Sequence, residues 1–309
     1  MSGKAVIRTE NLRKSFGNTA VLNGVNLEIQ EGQIVGLLGS NGSGKTTLLK
    51  CLLGLLRTDS GVSQLLGEPS WDLTAAAKEN LGYVPQEVVL MPWMTVGDTA
   101  SYTGAFYEHW QPKRVERLLM QGGIDSKKSV GELSVGQRQK LASILAMGHD
   151  PRLLILDEPV ASLDPVARRQ FLQELIDLAQ DEQHTVLFST HITSDVERVA
   201  SHVAILVDGQ VEYFGELDEL KDRIKRVRLT LRNSSPQEVR CPEAIRSVVD
   251  GNHWLLSIDQ TRVDIETLSE RYDADVRVED LNLEEIFIEI CGQEAVTSVN
   301  HEEPEASLT

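Results

Sequence analysis

The chain is poor in cysteine, in aromatic residues and in positive charge, and it contains no long apolar run. Its three cysteines, Cys51, Cys241 and Cys291, stand far apart without a CxxC pair. That excludes a disulfide framework and a structural zinc site, and it fits a reducing compartment. Each reads as a small buried hydrophobe. No stretch approaches the roughly 18 apolar residues needed to cross a bilayer. The most apolar one, Leu48 to Leu56, is interrupted by Lys50. The opening MSGKAVIRTE lacks the apolar centre of a secretory signal, so the expectation is a soluble cytosolic protein. Lys and Arg number 30 against 47 Asp and Glu, a net charge of −17. A free-standing nucleic-acid binder needs a basic face, so no nucleic-acid partner is expected.

The 309 residues are 41% hydrophobic and 25% charged, ordinary globular proportions with material for one large domain and one small one. Short strands are expected at Ala5 to Ile7 and Val25 to Ile29. The continuous apolar runs Ile34–Leu38 and Leu153–Leu156 read as strands buried on both faces. Helical spacing follows from Thr47 to Leu56 and from Pro165 to Gln180, and further strands at Thr185 to Ser189 and Val203 to Val207. Such alternation predicts an α/β domain with a mostly parallel sheet. Composition then shifts: residues 221–232 hold six basic residues and one acidic, whereas 259–290 are strongly acidic. The expected layout is a first domain over 1–222, a small α+β domain over 223–292 and a disordered acidic tail over 293–309. The small domain should have strands near Val227–Leu231, His253–Ile258 and Asp275–Val278, closed by a helix from Leu283 to Ile290. The basic run either faces an anionic membrane surface or is a solvated linker and strand face.

Between the first buried strand and the first helix lies Gly39-Ser40-Asn41-Gly42-Ser43-Gly44-Lys45-Thr46, followed by Thr47, a complete G-x-x-x-x-G-K-[ST] in its confirming strand–helix context. Glycines let successive N–H groups point into one concavity that holds phosphate oxygens. The helix adds the positive end of its dipole. Lys45 brings a charge to the β/γ-phosphates, and the Thr46 hydroxyl can ligate Mg²⁺. A second element, Leu153-Leu154-Ile155-Leu156-Asp157-Glu158, ends a buried strand in two acids. Ligands bind at such strand ends in α/β sheets. Asp157 is placed to hold Mg²⁺, and Glu158 to accept a proton from water attacking the γ-phosphate.

Together with Leu133-Ser134-Val135-Gly136-Gln137, these motifs make the chain resemble the ATPase subunits of ABC transporters, over about residues 4–220. The resemblance implies an ABC cassette with a mostly parallel core sheet, an antiparallel β edge and a helical subdomain at about 87–140. It implies ATP and Mg²⁺ as ligands. It also implies a second ATPase subunit, a like chain or a homologue, since Ser134, Gly136 and Gln137 would cap the nucleotide of the opposite subunit. By the same resemblance Phe16 stacks on adenine, a core Phe on a strand edge being the rival reading. Gln86 in Tyr83-Val84-Pro85-Gln86 senses Mg²⁺ and the attacking water. Asp164 lies at the dimer interface, and His191 touches the γ-phosphate. Val135 stands where the family most often has glycine; Val disfavours positive φ, so an ordinary right-handed conformation is expected there. Leu145 and Val160 also depart from the pattern, without removing a catalytic group, so an active ATPase is expected.

The interval from Gln86 to Leu133 leaves room for a compact helical subdomain, and long coiled-coil insertions are excluded. Met91-Pro92-Trp93-Met94-Thr95-Val96-Gly97-Asp98, then Phe106-Tyr107-Glu108-His109-Trp110, and the C-terminal Asn282–Ile290 segment resemble the subfamily serving ABC-2 type exporters. Trp93, Phe106, Tyr107 and Trp110 read either as helical-subdomain core or as part of a groove that receives a permease. The expectation is the ATP-binding subunit of an exporter, cytoplasmic and held at the inner face of the cell membrane by a separate integral-membrane permease. Rivals are a soluble ABC ATPase on a non-membrane partner and an importer ATPase with a regulatory C-terminal domain.

Overall fold

Apolar runs with no polar alternation demand burial on both faces, and three strands built on them form the centre of the first unit: Ile34–Leu38, Leu153–Asp157 and Thr185–Thr190 are buried at every residue, the polar ones included. A computed structural model describes residues 4–161, 163–179, 184–232, 241, 244–250 and 252–292. The expected tail at 293–309 lies outside the described residues.

In chain order, the first unit runs β1 (Ala5–Phe16), β2 (Thr19–Gln30), β3 (Ile34–Leu38), α1 (Lys45–Leu52), β4 (Ser60–Leu65), β5 (Glu68–Pro69), α2 (Ala75–Glu79) and β6 (Leu81–Val84). It continues with α3 (Val96–Gly104), α4 (Pro112–Gln121), α5 (Val135–Met147), β7 (Leu153–Asp157), α6 (Pro165–Ala179), β8 (Thr185–Thr190), α7 (Thr193–Val199), β9 (His202–Val207) and β10 (Gln210–Glu216). The second unit holds α8 (Leu217–Arg223), β11 (Ile224–Leu231), β12 (Arg246–Asp250), β13 (His253–Asp259), α9 (Ile265–Tyr272), β14 (Ala274–Asp280) and α10 (Leu283–Cys291).

The central sheet has the order β10-β9-β3-β8-β7-β6, and its β9–β3, β3–β8, β8–β7 and β7–β6 pairs are parallel. A separate antiparallel sheet, β2-β1-β4-β5, packs against it. The main core fills the space between, with Ile7, Leu12, Leu27 and Ile29 from the antiparallel sheet meeting Leu48 and Leu52 of α1 and Val35, Leu37 and Ile155 of the central sheet. Helices α6 and α7 pack on strands β8 and β3. A second core belongs to α3, α4 and α5, where Val96, Val115, Leu119, Leu141 and Ile144 close around Val130 and Leu133.

Several short strands escape the sequence reading. β4 is SGVSQL, too polar to read as a strand, and its place depends on pairing with β1 (Ile7 opposite Leu65). β12, RSVVD, shows no alternation because all five of its residues are exposed at a sheet edge.

The two compact units divide between Gly215 and Glu216. The sequence reading sets the boundary at 222–223, where the basic run begins. α8 instead packs on β11 and so folds with the second unit. That unit is an antiparallel sheet of order β12-β13-β11-β14, with Val227, Leu229, Trp254, Leu256 and Leu268 in its core. α10 starts in a capping box: the Asn282 side chain accepts from Glu285 N while the Glu285 carboxylate accepts from Asn282 N.

Buried charge in this unit is paired. Arg223 donates to Asp259 Oδ2 from Nε (2.9 Å) and Nη2 (2.6 Å). Burial pushes the Asp259 carboxyl up, but hydrogen bonds from Arg223 and Thr261 outweigh it and hold the group at about 2, below its ordinary 3.8. A carboxyl lowered on folding contributes stability above its unfolded value, lost as pH falls through the folded one. Arg223→Ala is therefore expected to cost about 2–4 kcal/mol at neutral pH by leaving the buried Asp259 carboxylate with only the Thr261 hydrogen bonds and the more distant Arg262. The deficit should shrink on acidification, as the unpaired carboxyl protonates. Thermal unfolding from pH 7 to 4 checks both the size and the trend.

Candidate functional site

The phosphate loop is shaped by glycines with little room. Gly44 sits at φ 105°, and a Cβ there would meet Val21 O at 2.9 Å; at Gly39 a Cβ would lie 2.3 Å from Ser43 Oγ and 2.7 Å from Leu206 O. Gly44 is also the N-cap of α1 and offers no side-chain cap. The first-turn N–H groups therefore remain available to an anion. Lys45 is buried; its Nζ donates to Gly39 O (2.8 Å) and Ser40 O (3.2 Å) and lies 3.5 Å from Glu158 Oε1.

The two halves, far apart in sequence, meet because β7 lies one strand away from β3 across β8. Thr46 Oγ1 donates to Asp157 Oδ1 at 3.2 Å. Ser189 Oγ donates to the same oxygen at 2.7 Å and accepts from Glu158 N at 2.9 Å. Glu158 has φ 49°, left-handed for a residue with a side chain. Its Oε2 lies 3.0 Å from His191 Nδ1, so the bonding tautomer carries its proton on Nδ1. Burial and then the Asp157 carboxylate push the Tyr83 phenol up to about 12, so it stays neutral beside the site.

A cavity of about 490 Å³ opens over these groups. Loop residues Asn41, Gly42, Gly44, Lys45, Thr46 and Thr47 line it, closed by Val21, Gln86 and Glu158. Asp157 Oδ2 is buried and has no hydrogen-bond partner among the described residues. Such an orphaned carboxylate oxygen beside a hydroxyl fits a divalent cation. Among the described residues no group of three or more His, Cys, Asp and Glu could hold a metal. Mg²⁺ needs none, since it takes one or two carboxylates and completes its shell with phosphates and water.

Of the expected site residues, Gly39, Ser40, Ser43, Asp157 and His191 do not line this cavity themselves, the last two being joined to its lining through Thr46 and Glu158, and neither do Phe16, Ser134, Gly136, Gln137 and Asp164. Phe16 is 52% exposed, which removes its core reading, and stands at the tip of the β1–β2 hairpin with Lys14 Nζ 5.6 Å from the ring centre. Ser134 caps α5: its Oγ accepts from Gln137 N (3.2 Å), while Gln137 Oε1 accepts from Ser134 N (3.1 Å). Gly136 lies in that first turn. Val135, the first residue of α5, has no positive φ, as its branching requires. Asp164 Oδ1 accepts from Val166 N (2.9 Å) and Ala167 N (3.0 Å), capping α6.

Of the four aromatics, Trp110 packs on the helical core and Tyr107 stacks on His149, ring centres 3.9 Å apart. Trp93 and Phe106 are 77% and 69% exposed, against the core reading for those two. The sequence reading assigns no role to Ser189. Its only signal is a hydroxyl two residues before His191 at a strand end.

The fold and this site define a P-loop ATPase cassette. The ABC transporter family description matches residues 22–161. A Nod factor export ATP-binding protein I from Cupriavidus metallidurans is 36% identical over 71% of this chain and 73% of its own. A probable sulfate/thiosulfate import ATP-binding protein CysA from Chlorella vulgaris is 37% identical over 70% of this chain and 93% of its own. Among solved structures, the ATP-binding cassette MJ0796, a dimer in a post-hydrolysis state with ADP and Pi, aligns with TM-score 0.62 at 25% identity, over 68% of this chain and 98% of its own. The chain belongs to the ABC transporter family as an ATP-binding subunit, and it is an ATP hydrolase. Among the described residues no helix is long and apolar enough to cross a membrane.

Proposed function

We propose that this chain is the ATPase of an ABC exporter, held at the cytoplasmic face of the membrane by a separate permease and closing as a dimer over two ATP molecules. The observation that carries the dimer is the split of the motif set. Lys45, Thr46 and Glu158 line one cavity, with Asp157 bonded to Thr46 and His191 against Glu158, whereas Ser134, Gly136 and Asp164 lie outside it at helix starts and, among the described residues, make no bond to this group. The first turn of α5, in which Ser134 Oγ already accepts from Gln137 N, is suited to offer the N–H groups ahead of that bond to a γ-phosphate presented by a second subunit.

In this reading Asn41 to Thr47 and Lys45 hold the phosphates, and Phe16 stacks on the base. Thr46, Asp157 and Gln86 hold Mg²⁺, which when bound neutralises charge developing on the phosphate oxygens. Glu158 orients water and accepts its proton. His191 holds the Glu158 carboxylate in place and contacts the γ-phosphate. Ser134 and Gly136, with Gln137 keeping their turn in shape and Asp164 beside them, complete the opposite site.

Val89, Met91 and Trp93 follow Gln86 closely and are exposed, as is Phe106. Exposed apolar residues on the stretch of chain that follows a cavity-lining residue suit a permease contact that senses closure. Export is carried by the small α+β unit after the cassette, whose closing segment Asn282–Ile290 resembles that of ABC-2 type exporter subunits. Affinity capture of Glu158→Gln with Mg-ATP from solubilised host membranes, read by mass spectrometry, tests this. A stoichiometric multi-spanning protein is expected, and exchanging Trp93 and Phe106 for Ser should lose it. A soluble partner alone would replace the transporter reading with an assembly-factor one. A permease accompanied by an extracytoplasmic binding protein would replace export with import.

A further inference from the structure

We propose that Ser189 is a positioning residue for ATP hydrolysis, one hydroxyl that sets both the cation-binding Asp157 and the backbone of Glu158. The proposal rests on the reading of Asp157 and Glu158 given above. In the β7–β8 register Asp157 lies opposite Ser189. The serine is fully buried, and its Oγ is used in both directions: it accepts from Glu158 N (2.9 Å) and donates to Asp157 Oδ1 (2.7 Å).

Both bonds sit where the chain is under constraint. β7 ends at Asp157, and at Glu158 the backbone turns left-handed, φ 49°. Such a conformation is unfavourable in a residue with a side chain and persists only where surroundings hold it. The Glu158 N–H is buried, and its partner here is the Ser189 hydroxyl. The turn aims the Glu158 carboxylate between Lys45 and His191. On the other side, two hydroxyls, Ser189 and Thr46, converge on Asp157 Oδ1, while Oδ2 has no partner among the described residues. Ser189 therefore fixes which oxygen of Asp157 is occupied and which is left for a cation. It touches neither substrate nor reacting atoms. Its effect passes through two neighbours, one for metal and one for water.

A structural serine and a positioning serine predict different kinetics. For Ser189→Ala, kcat should fall about 10- to 100-fold, the size of a lost hydrogen bond to a charged group. ADP affinity without magnesium should stay within about twofold, since phosphate-loop contacts are untouched. The magnesium-dependent gain in affinity for a non-hydrolysable ATP analogue should drop by about 10-fold or more. Ser189→Thr keeps the oxygen and should restore both. Thermal midpoints of all variants verify folding. A Ser189→Ala enzyme with wild-type kcat and a wild-type magnesium gain overturns the proposal. So does a Thr variant that rescues nothing while midpoint and ADP affinity fall together, because the serine is then only packing. Normal turnover by Glu158→Gln would strike the base assignment instead, and the magnesium gain still judges Ser189 by itself.

Discussion

Glu158→Gln should lose about 10²- to 10⁴-fold in ATP turnover while still binding ATP, the range for removal of a positioned general base. The structure argues for a loss confined to chemistry. Glu158 is buried, 3.5 Å from Lys45 and 3.0 Å from His191. Glutamine keeps that volume and one carbonyl oxygen for His191, so the cavity should keep its shape. What disappears is the negative charge that accepts a proton and that opposes an incoming γ-phosphate. ATP affinity should therefore hold or rise. With hydrolysis blocked, the closed dimer should accumulate, and light scattering after size exclusion should give twice the monomer mass with ATP and the monomer mass with ADP. Turnover within a few-fold of wild type would remove Glu158 as base. A monomer in saturating ATP, with turnover lost, would spare the base and remove the dimer.

Lys45→Ala should weaken nucleotide binding about 100-fold, in line with truncation of one partner of a buried charge pair. The Lys45 ammonium is buried, donates to the Gly39 and Ser40 carbonyls and pairs with Glu158, which fixes the charge at the mouth of the loop where phosphate oxygens would sit. Alanine removes that charge and leaves Glu158 buried without that cation. Lys45→Met retains the aliphatic stem and separates the charge from the packing. Calorimetric titration with ADP, which is not turned over, gives the affinity directly. Both variants should lose it alike, whereas a Met variant binding like wild type would show that volume, not charge, holds the phosphates.

The phosphate loop was legible from sequence because its chemistry is local. Gly39 to Thr46 are covalent neighbours, and the backbone freedom of Gly44 and the start of α1 follow from residue type alone. The buried strands were legible for a like reason, since a run of four aliphatics and one glycine such as Ile34–Leu38 offers no polar face to water. Short polar strands such as β4 were not, because their partners supply the pairing that their own side chains do not demand. Nor was the boundary at Gly215, which depends on α8 packing against β11 rather than on where the basic residues begin.

Within the site the division is the same. Residue types alone marked Lys45, Thr46, Asp157 and Glu158 as phosphate and cation chemistry, because few other combinations bind both. Tertiary structure decided that Thr46 and Ser189 share one oxygen of Asp157, that Glu158 turns left-handed, and that Trp93 and Phe106 face outward. It also brought Ser189 to Asp157. Sheet order and register are properties of pairs of strands distant in the chain, and no single segment carries the energy that selects them.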